Sequence, residues 1–195
     1  MTYAVVPAAG LSSRMGRPKL DLPLESTTVL AHVVAALRGG GVDVVLVVVG
    51  PHVPELVSIA EAAGAETLRL AAPTADMRET VQAGLRFLDD RYHPRPDDYW
   101  FLTPGDCPTF SAATVRRLLD TSGDTVVVPT VDGRRGHPVR FAWRHAADVV
   151  ALPPGAGIHV LVRSRPVIEV PVEDAGVLCD VDTPADYDRL RRKMP

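Results

Sequence analysis

The run Val44–Val49, V-V-L-V-V-V, offers no polar position to water. A strand with one solvated face alternates apolar and polar side chains, so a continuous aliphatic run points to a strand buried on both faces. Helical patterns flank it. Ser26, Thr27 and Thr28 supply N-caps for a helix through Leu37, with Leu30, Val33, Val34 and Leu37 on one face. Gly39, Gly40 and Gly41 end it. Pro51 and Pro54 lead into a second helix through Ala63, closed by Gly64. The same rhythm then continues. It gives a weak strand at 68–70, a helix over 77–88, a surface loop at 90–98 and a strand at 99–102. A helix capped by Ser111 follows, then strands at 126–128, 139–141 and 167–170. Helical stretches over 143–150 and up to Val162 lie between them, and Thr183 with Pro184 opens a last helix to Lys193. Strands alternating with helices in this way predict an α/β fold with a mostly parallel sheet.

A chain of 195 residues suits a single domain over 1–195 and buries roughly 70% of its unfolded surface without staples. The net charge of −3 excludes bulk attraction to nucleic acid or to a membrane surface. Cys107 and Cys179 are too few for a disulfide framework or a four-ligand zinc site, and the histidines lack metal-ligand spacing. Residues 1–6 carry no charged leader, and no apolar run is long enough to span a bilayer. A soluble, cytoplasmic setting is the expectation.

The chemistry concentrates in residues 5–19, V-V-P-A-A-G-L-S-S-R-M-G-R-P-K. An apolar strand delivers a loop of small residues in which Gly10 and Gly16 accept positive φ without steric cost. Successive backbone N–H groups in such a loop form a concave anion site. Arg14 adds a planar fork and Lys19 a mobile point charge, so the loop suits a polyphosphate. Glycines and serines alone also fit an ordinary βα loop with surface cations. Neither G-x-x-x-x-G-K-[ST] nor G-x-G-x-x-G is present, which excludes the two commonest phosphate loops.

Residues 8–19, A-A-G-L-S-S-R-M-G-R-P-K, resemble the signature loop of the MobA-like NTP transferase family, whose members act on molybdopterin. The resemblance implies a three-layer, Rossmann-like α/β fold. It implies that Ala8, Ala9, Gly10, Leu11, Ser12, Ser13, Arg14, Gly16 and Lys19 wrap a nucleoside triphosphate. Ala8-Ala9-Gly10 is similar to the branch that uses CTP, where GTP users read A-G-G. The implied catalytic set is Arg14, Lys19 and Asp106.

Three further segments extend the likeness. Asp106 in T-P-G-D-C-P matches the family's G-D-x-P, whose carboxylate holds Mg²⁺, although an Asp after Gly is also a common turn residue. Asp180 and Asp182 match D-x-D-T-P, and Asp182 is favoured as the second metal ligand against its reading as a helix cap. Gly136, His137 and Pro138 resemble the G-H-P-V-x-F segment at the acceptor pocket. The loop at 71–76 and the helix after it approach base and ribose in the family, which implicates Ala72 and Thr80. Ala72 stands where the family has Asn, and Asp76 where it has Gly. No Arg follows Gly155 and Gly157 until Arg163, where the family often has one nearer.

The implied reaction is transfer of CMP from CTP to a phosphorylated acceptor such as molybdopterin, with Mg²⁺ as cofactor, pyrophosphate as product and a molybdoenzyme as protein partner. The run R-E-T-V-Q-A-G-L at 78–85 is similar instead to cytidylyltransferases acting on sugar or polyol phosphates. A nucleotide-binding protein without turnover is the third reading.

Overall fold

The computed structural model describes residues 1–12 and 14–193. Its strands are β1 Thr2–Ala8, β2 Pro23–Leu24, β3 Thr27–Thr28, β4 Val44–Val49, β5 Glu66–Arg69, β6 Tyr99–Leu102, β7 Val126–Val131, β8 Arg134–Arg135, β9 Val139–Ala142 and β10 Val167–Pro171. Its α-helices are α1 Val29–Gly39, α2 Glu55–Ala62, α3 Met77–Tyr92, α4 Ala112–Asp120, α5 Ala146–Val150, α6 His159–Ser164 and α7 Pro184–Lys193. The main sheet runs β5-β4-β1-β6-β9-β7-β10, with β8 added beside β7. Strands β5, β4, β1 and β6 are mutually parallel, as are β7 and β10. Strand β9 runs against both β6 and β7.

Successive residues of β1 and β4 bury into opposite cores, as the unbroken aliphatic run required. Ala4, Val6, Val45 and Val47 pack beneath α1, α2 and α4, while Tyr3, Val5, Leu46 and Val48 pack beneath α3 and α5. Helices therefore cover both faces, making three layers. The chain turns from β1 to β4 and β5 on one side and returns to β6 on the other. That reversal opens a crevice at the carboxyl ends of β1 and β6, where open α/β sheets place ligands.

Several expected boundaries move for identifiable reasons. Thr28 is the N-cap of α1, its Oγ1 accepting from Ala31 N at 3.3 Å, while Thr27 and Thr28 also pair with Pro23 and Leu24 in a two-strand ribbon. Helix α3 runs past Leu88 to Tyr92, which packs on Tyr3 with ring centroids 5.7 Å apart and bonds Glu66. His93, at φ 48°, then ends it before Pro94. Arg140 on β9 is fully buried and caps the end of α4, donating to the carbonyls of Leu118, Leu119, Thr121 and Gly123 at 2.7–3.2 Å. Its guanidinium also lies 4.2 Å from the Tyr99 ring. Among the described residues no helix is long and apolar enough to cross a membrane.

Candidate active site

The loop after β1 is shaped by two left-handed residues, Ser12 at φ 50° and Gly16 at φ 71°. The Ser12 carbonyl accepts from Met15 N at 3.0 Å and Gly16 N at 3.1 Å, closing a tight turn that carries Arg14. A non-glycine residue in this conformation stores strain of the kind held at ligand sites. Ser13, expected on the nucleotide, lies outside the described residues. The loop entry presses on the end of β4. A Cβ on Gly50 would lie 3.1 Å from Ala9 Cα, and His52 Nε2 stands 3.3 Å from the Gly10 carbonyl. The loop exit is tied to α1 by Leu30 N donating to Leu20 O at 2.9 Å.

Asp106 follows β6, one residue past Gly105, whose missing Cβ makes room for Leu20. Its carbonyl accepts from Val181 N at 2.9 Å, which brings the segment before α7 to the same end of the sheet. There Thr183 and Asp186 form a reciprocal cap. Thr183 N donates to Asp186 Oδ2 at 2.9 Å, and Asp186 N donates to Thr183 Oγ1 at 3.3 Å. The helix start thus falls to Thr183 and leaves the Asp182 carboxylate to other partners. Its Oδ2 accepts from Arg14 Nη1 at 2.5 Å and its Oδ1 from Lys19 Nζ at 2.8 Å. The same ammonium pairs with Asp106 Oδ2. Two carboxylates far apart in sequence therefore converge on Lys19.

The electrostatics follow from this cluster. The Lys19 hydrogen bond holds the Asp182 carboxyl below its ordinary value against partial burial, and the charges of Lys19 and Arg14 add to it. Burial alone would lower the Lys19 ammonium, but hydrogen bonds and charges from Asp106 and Asp182 together raise it. Asp180 lines the same crevice, is exposed, and forms no ion pair among the described residues. Asp180 and Asp182 precede α7 outside any strand.

A cavity of 740 Å³ occupies the crevice. Ala8, Ala9, Gly10, Leu11 and Ser12 line it together with Arg14, Lys19, Asp106 and Asp182, and Thr80, Gly136 and His137 complete the lining. Gly16 shapes the turn without lining the cavity, and Pro138 is buried behind it. Ala72 is exposed and outside the lining, to which Thr74, Ala75 and Asp76 belong. Thr80 is buried, its Oγ1 2.7 Å from Thr74 Oγ1, so it braces this loop from below. Asp76 caps α3 by accepting from Glu79 N at 3.0 Å.

A second cavity of 600 Å³ adjoins the first, the two sharing Asp76, Met77, Pro104, Arg135, Gly136 and His137 as lining. Its floor is apolar, made by Leu102, Val128, Val139, Phe141, Ile158 and Val162. Gly136 is required where the backbone meets Val177, and His137 N donates to Val177 O at 2.8 Å. Burial pushes the His137 imidazole down, outweighing the Leu102 carbonyl and the charges of Asp106 and Asp180. Its Nδ1 and the Nε of Arg78, another residue lining this cavity, are buried without partners among the described residues. Sequence reading passed over Met77 and Arg135. The adjacent R-R-G-H-P was the available sign for Arg135, and nothing marked Met77 apart from a helix start.

The donor set suits a small hard cation. Asp106 and Asp182 supply carboxylate oxygens beside a phosphate-sized space, and the Lys19 ammonium marks a point in reach of both. Cations beside carboxylates at the switch point suit a protein that handles phosphorylated nucleotides. The chain belongs to the MobA-like NTP transferase family, whose model matches residues 4–170.

Molybdenum cofactor cytidylyltransferase of Escherichia coli (strain K12) is 25% identical over 185 residues, 94% of this chain and 92% of that protein. The crystal structure of Rv0371c from Mycobacterium tuberculosis H37Rv in complex with manganese is 30% identical, covers 98% of each chain and superposes with a TM-score of 0.77. A nucleotidyl transferase from Methanothermobacter is 27% identical, with a TM-score of 0.82 over 100% of this chain and 97% of its own.

Proposed function

We propose that this chain transfers CMP from CTP to the phosphate of a molybdopterin-type cofactor, using Mg²⁺ and releasing pyrophosphate in the cytoplasm. The observation that carries the reading is the join of the two cavities. A charged site with Arg14, Lys19, Asp106 and Asp182 adjoins a pocket with an apolar base, the two sharing Gly136 and His137 as lining. The triphosphate lies along the loop from Ala8 to Lys19 and the acceptor body fills the apolar pocket. Its phosphate oxygen attacks the α-phosphorus in line, the α–β anhydride bond breaks, and pyrophosphate carries off the electron pair. A phosphate nucleophile is already ionised, so no side chain has to take a proton. Arg14 grips phosphate oxygens as a fork and Lys19 neutralises charge on the leaving group. A divalent cation, which Asp106 and Asp182 would hold, would offset the charge of the phosphates.

His137, held neutral by burial, offers the acceptor a hydrogen bond rather than a charge. Leu102, Val128, Val139, Phe141, Ile158 and Val162 offer apolar contact to the faces of a flat heterocycle, and Arg78, His137, His159 and Arg163 offer donors to its edges. The name and near-complete coverage of the Escherichia coli relative support the same choice, with a molybdoenzyme receiving the product. The test is pyrophosphate release from CTP with molybdopterin set against 2C-methyl-D-erythritol 4-phosphate. Release with molybdopterin is expected; release only with the polyol phosphate would overturn the acceptor.

A further inference from the structure

The two cations assigned to the triphosphate are the two cations that neutralise the metal carboxylates. Lys19 Nζ touches Asp106 and lies 2.8 Å from Asp182 Oδ1, and Arg14 Nη1 takes Asp182 Oδ2 at 2.5 Å. Two positive groups face two negative ones, so the cluster is already balanced. The Lys19 side chain is only 15% exposed, which removes most of the water that would otherwise weaken its pairs.

We infer that Lys19 is a resident counter-ion of the Asp106–Asp182 pair, so that the divalent cation and the triphosphate exchange for it together. This rests on the reading of the larger cavity as the triphosphate site. A divalent cation arriving alone meets carboxylates that Lys19 and Arg14 have neutralised. A triphosphate arriving alone meets cations that the carboxylates hold. When both arrive, the cation takes the carboxylates, Lys19 turns to the phosphates, and charge is balanced throughout. A lysine suits the exchange because a point charge on a flexible stem has no fixed fork to realign. Each ligand must then raise the affinity of the other by one common factor.

The experiment is a Mn²⁺ titration of the full chain, free Mn²⁺ being read by electron paramagnetic resonance. It is run with and without α,β-methylene-CTP, whose own binding is followed by calorimetry. In the wild type the analogue should tighten Mn²⁺ binding about 10-fold or more, a coupling of ordinary allosteric size. In Lys19→Ala, Mn²⁺ alone should bind about 10-fold tighter than to the wild type, and the analogue should improve it by a correspondingly smaller factor. Lys19→Met keeps most of the stem and should behave alike, so a folding defect in the alanine variant leaves the test intact. Mn²⁺ binding to both variants equal to or weaker than in the wild type would overturn the inference. Failure of the analogue to bind the wild type at all would show up separately in the calorimetry, removing the triphosphate reading and the inference with it.

Discussion

The backbone N–H of Val181 donates to the carbonyl of Asp106 at 2.9 Å, tying the segment before α7 to the loop after β6. The segments that carry the two carboxylates meeting Lys19 are therefore joined through main chain. Asp106→Ala should accordingly lower kcat by about 10²-fold or more while changing stability by less than about 1 kcal/mol. Steady-state kinetics beside a thermal melt checks both halves. Retained metal-dependent turnover would remove Asp106 from the site.

Asp182→Asn should loosen Arg14 and Lys19 together, because one carboxylate serves both. The pH dependence has a definite sign. The folded Asp182 value lies below the ordinary 3.8, so its contribution is present above that pH and is lost as pH falls through the lower folded value. Lys19 is raised above the ordinary 10.5, so its contribution is present below 10.5 and is lost as pH rises through the higher folded value. The difference in melting temperature between wild type and Asp182→Asn should be flat from about pH 5 to about pH 9 and shrink in stronger acid. Melting curves over that range check it. A difference that grows in acid would contradict the pairing.

The layers of the fold were legible in the sequence because burial on both faces leaves an unmistakable mark. Val44–Val49 has no polar position, and its side chains alternate between the two cores as that composition demands. The antiparallel direction of β9 was not legible, since a short strand of Val139, Arg140 and Phe141 reads the same either way. Arg140 looks like a solvated charge in sequence, yet its partners are carbonyls at a helix end that only the packed chain brings near. At the site, the Arg14–Lys19 loop and the Asp106 turn were readable as motifs. Asp182 entered only through the resemblance of D-x-D-T-P, since its ion pairs with Arg14 and Lys19 depend on the contact between Val181 and Asp106 and leave no mark in spacing.

The base preference should sit in the entry to the first loop. A Cβ at Ala9 narrows the space beside the strand-exit backbone, so the wild type should prefer CTP to GTP by roughly 10- to 200-fold, the range of a methyl-sized contact. Ala9→Gly should relax that ratio in a competition assay, and an unchanged ratio would place selectivity elsewhere. Gly50→Ala should raise KM for the nucleotide, because its Cβ would approach Ala9 Cα to 3.1 Å and His52 Cε1 to 2.7 Å.

Arg140→Met should be the most damaging substitution outside the site. It leaves the carbonyls of Leu118, Leu119, Thr121 and Gly123 without the guanidinium, at about 3 kcal/mol or more. Urea denaturation measures the loss. A change below about 1 kcal/mol would mean that water replaces the guanidinium at those carbonyls.

The most direct test of the account is turnover by the purified protein with CTP, a divalent cation and molybdopterin. The account predicts pyrophosphate and cytidylylated molybdopterin in equal amounts, with neither formed by Asp106→Ala. CTP that binds while no nucleotide yields pyrophosphate with molybdopterin or with a polyol phosphate would contradict it.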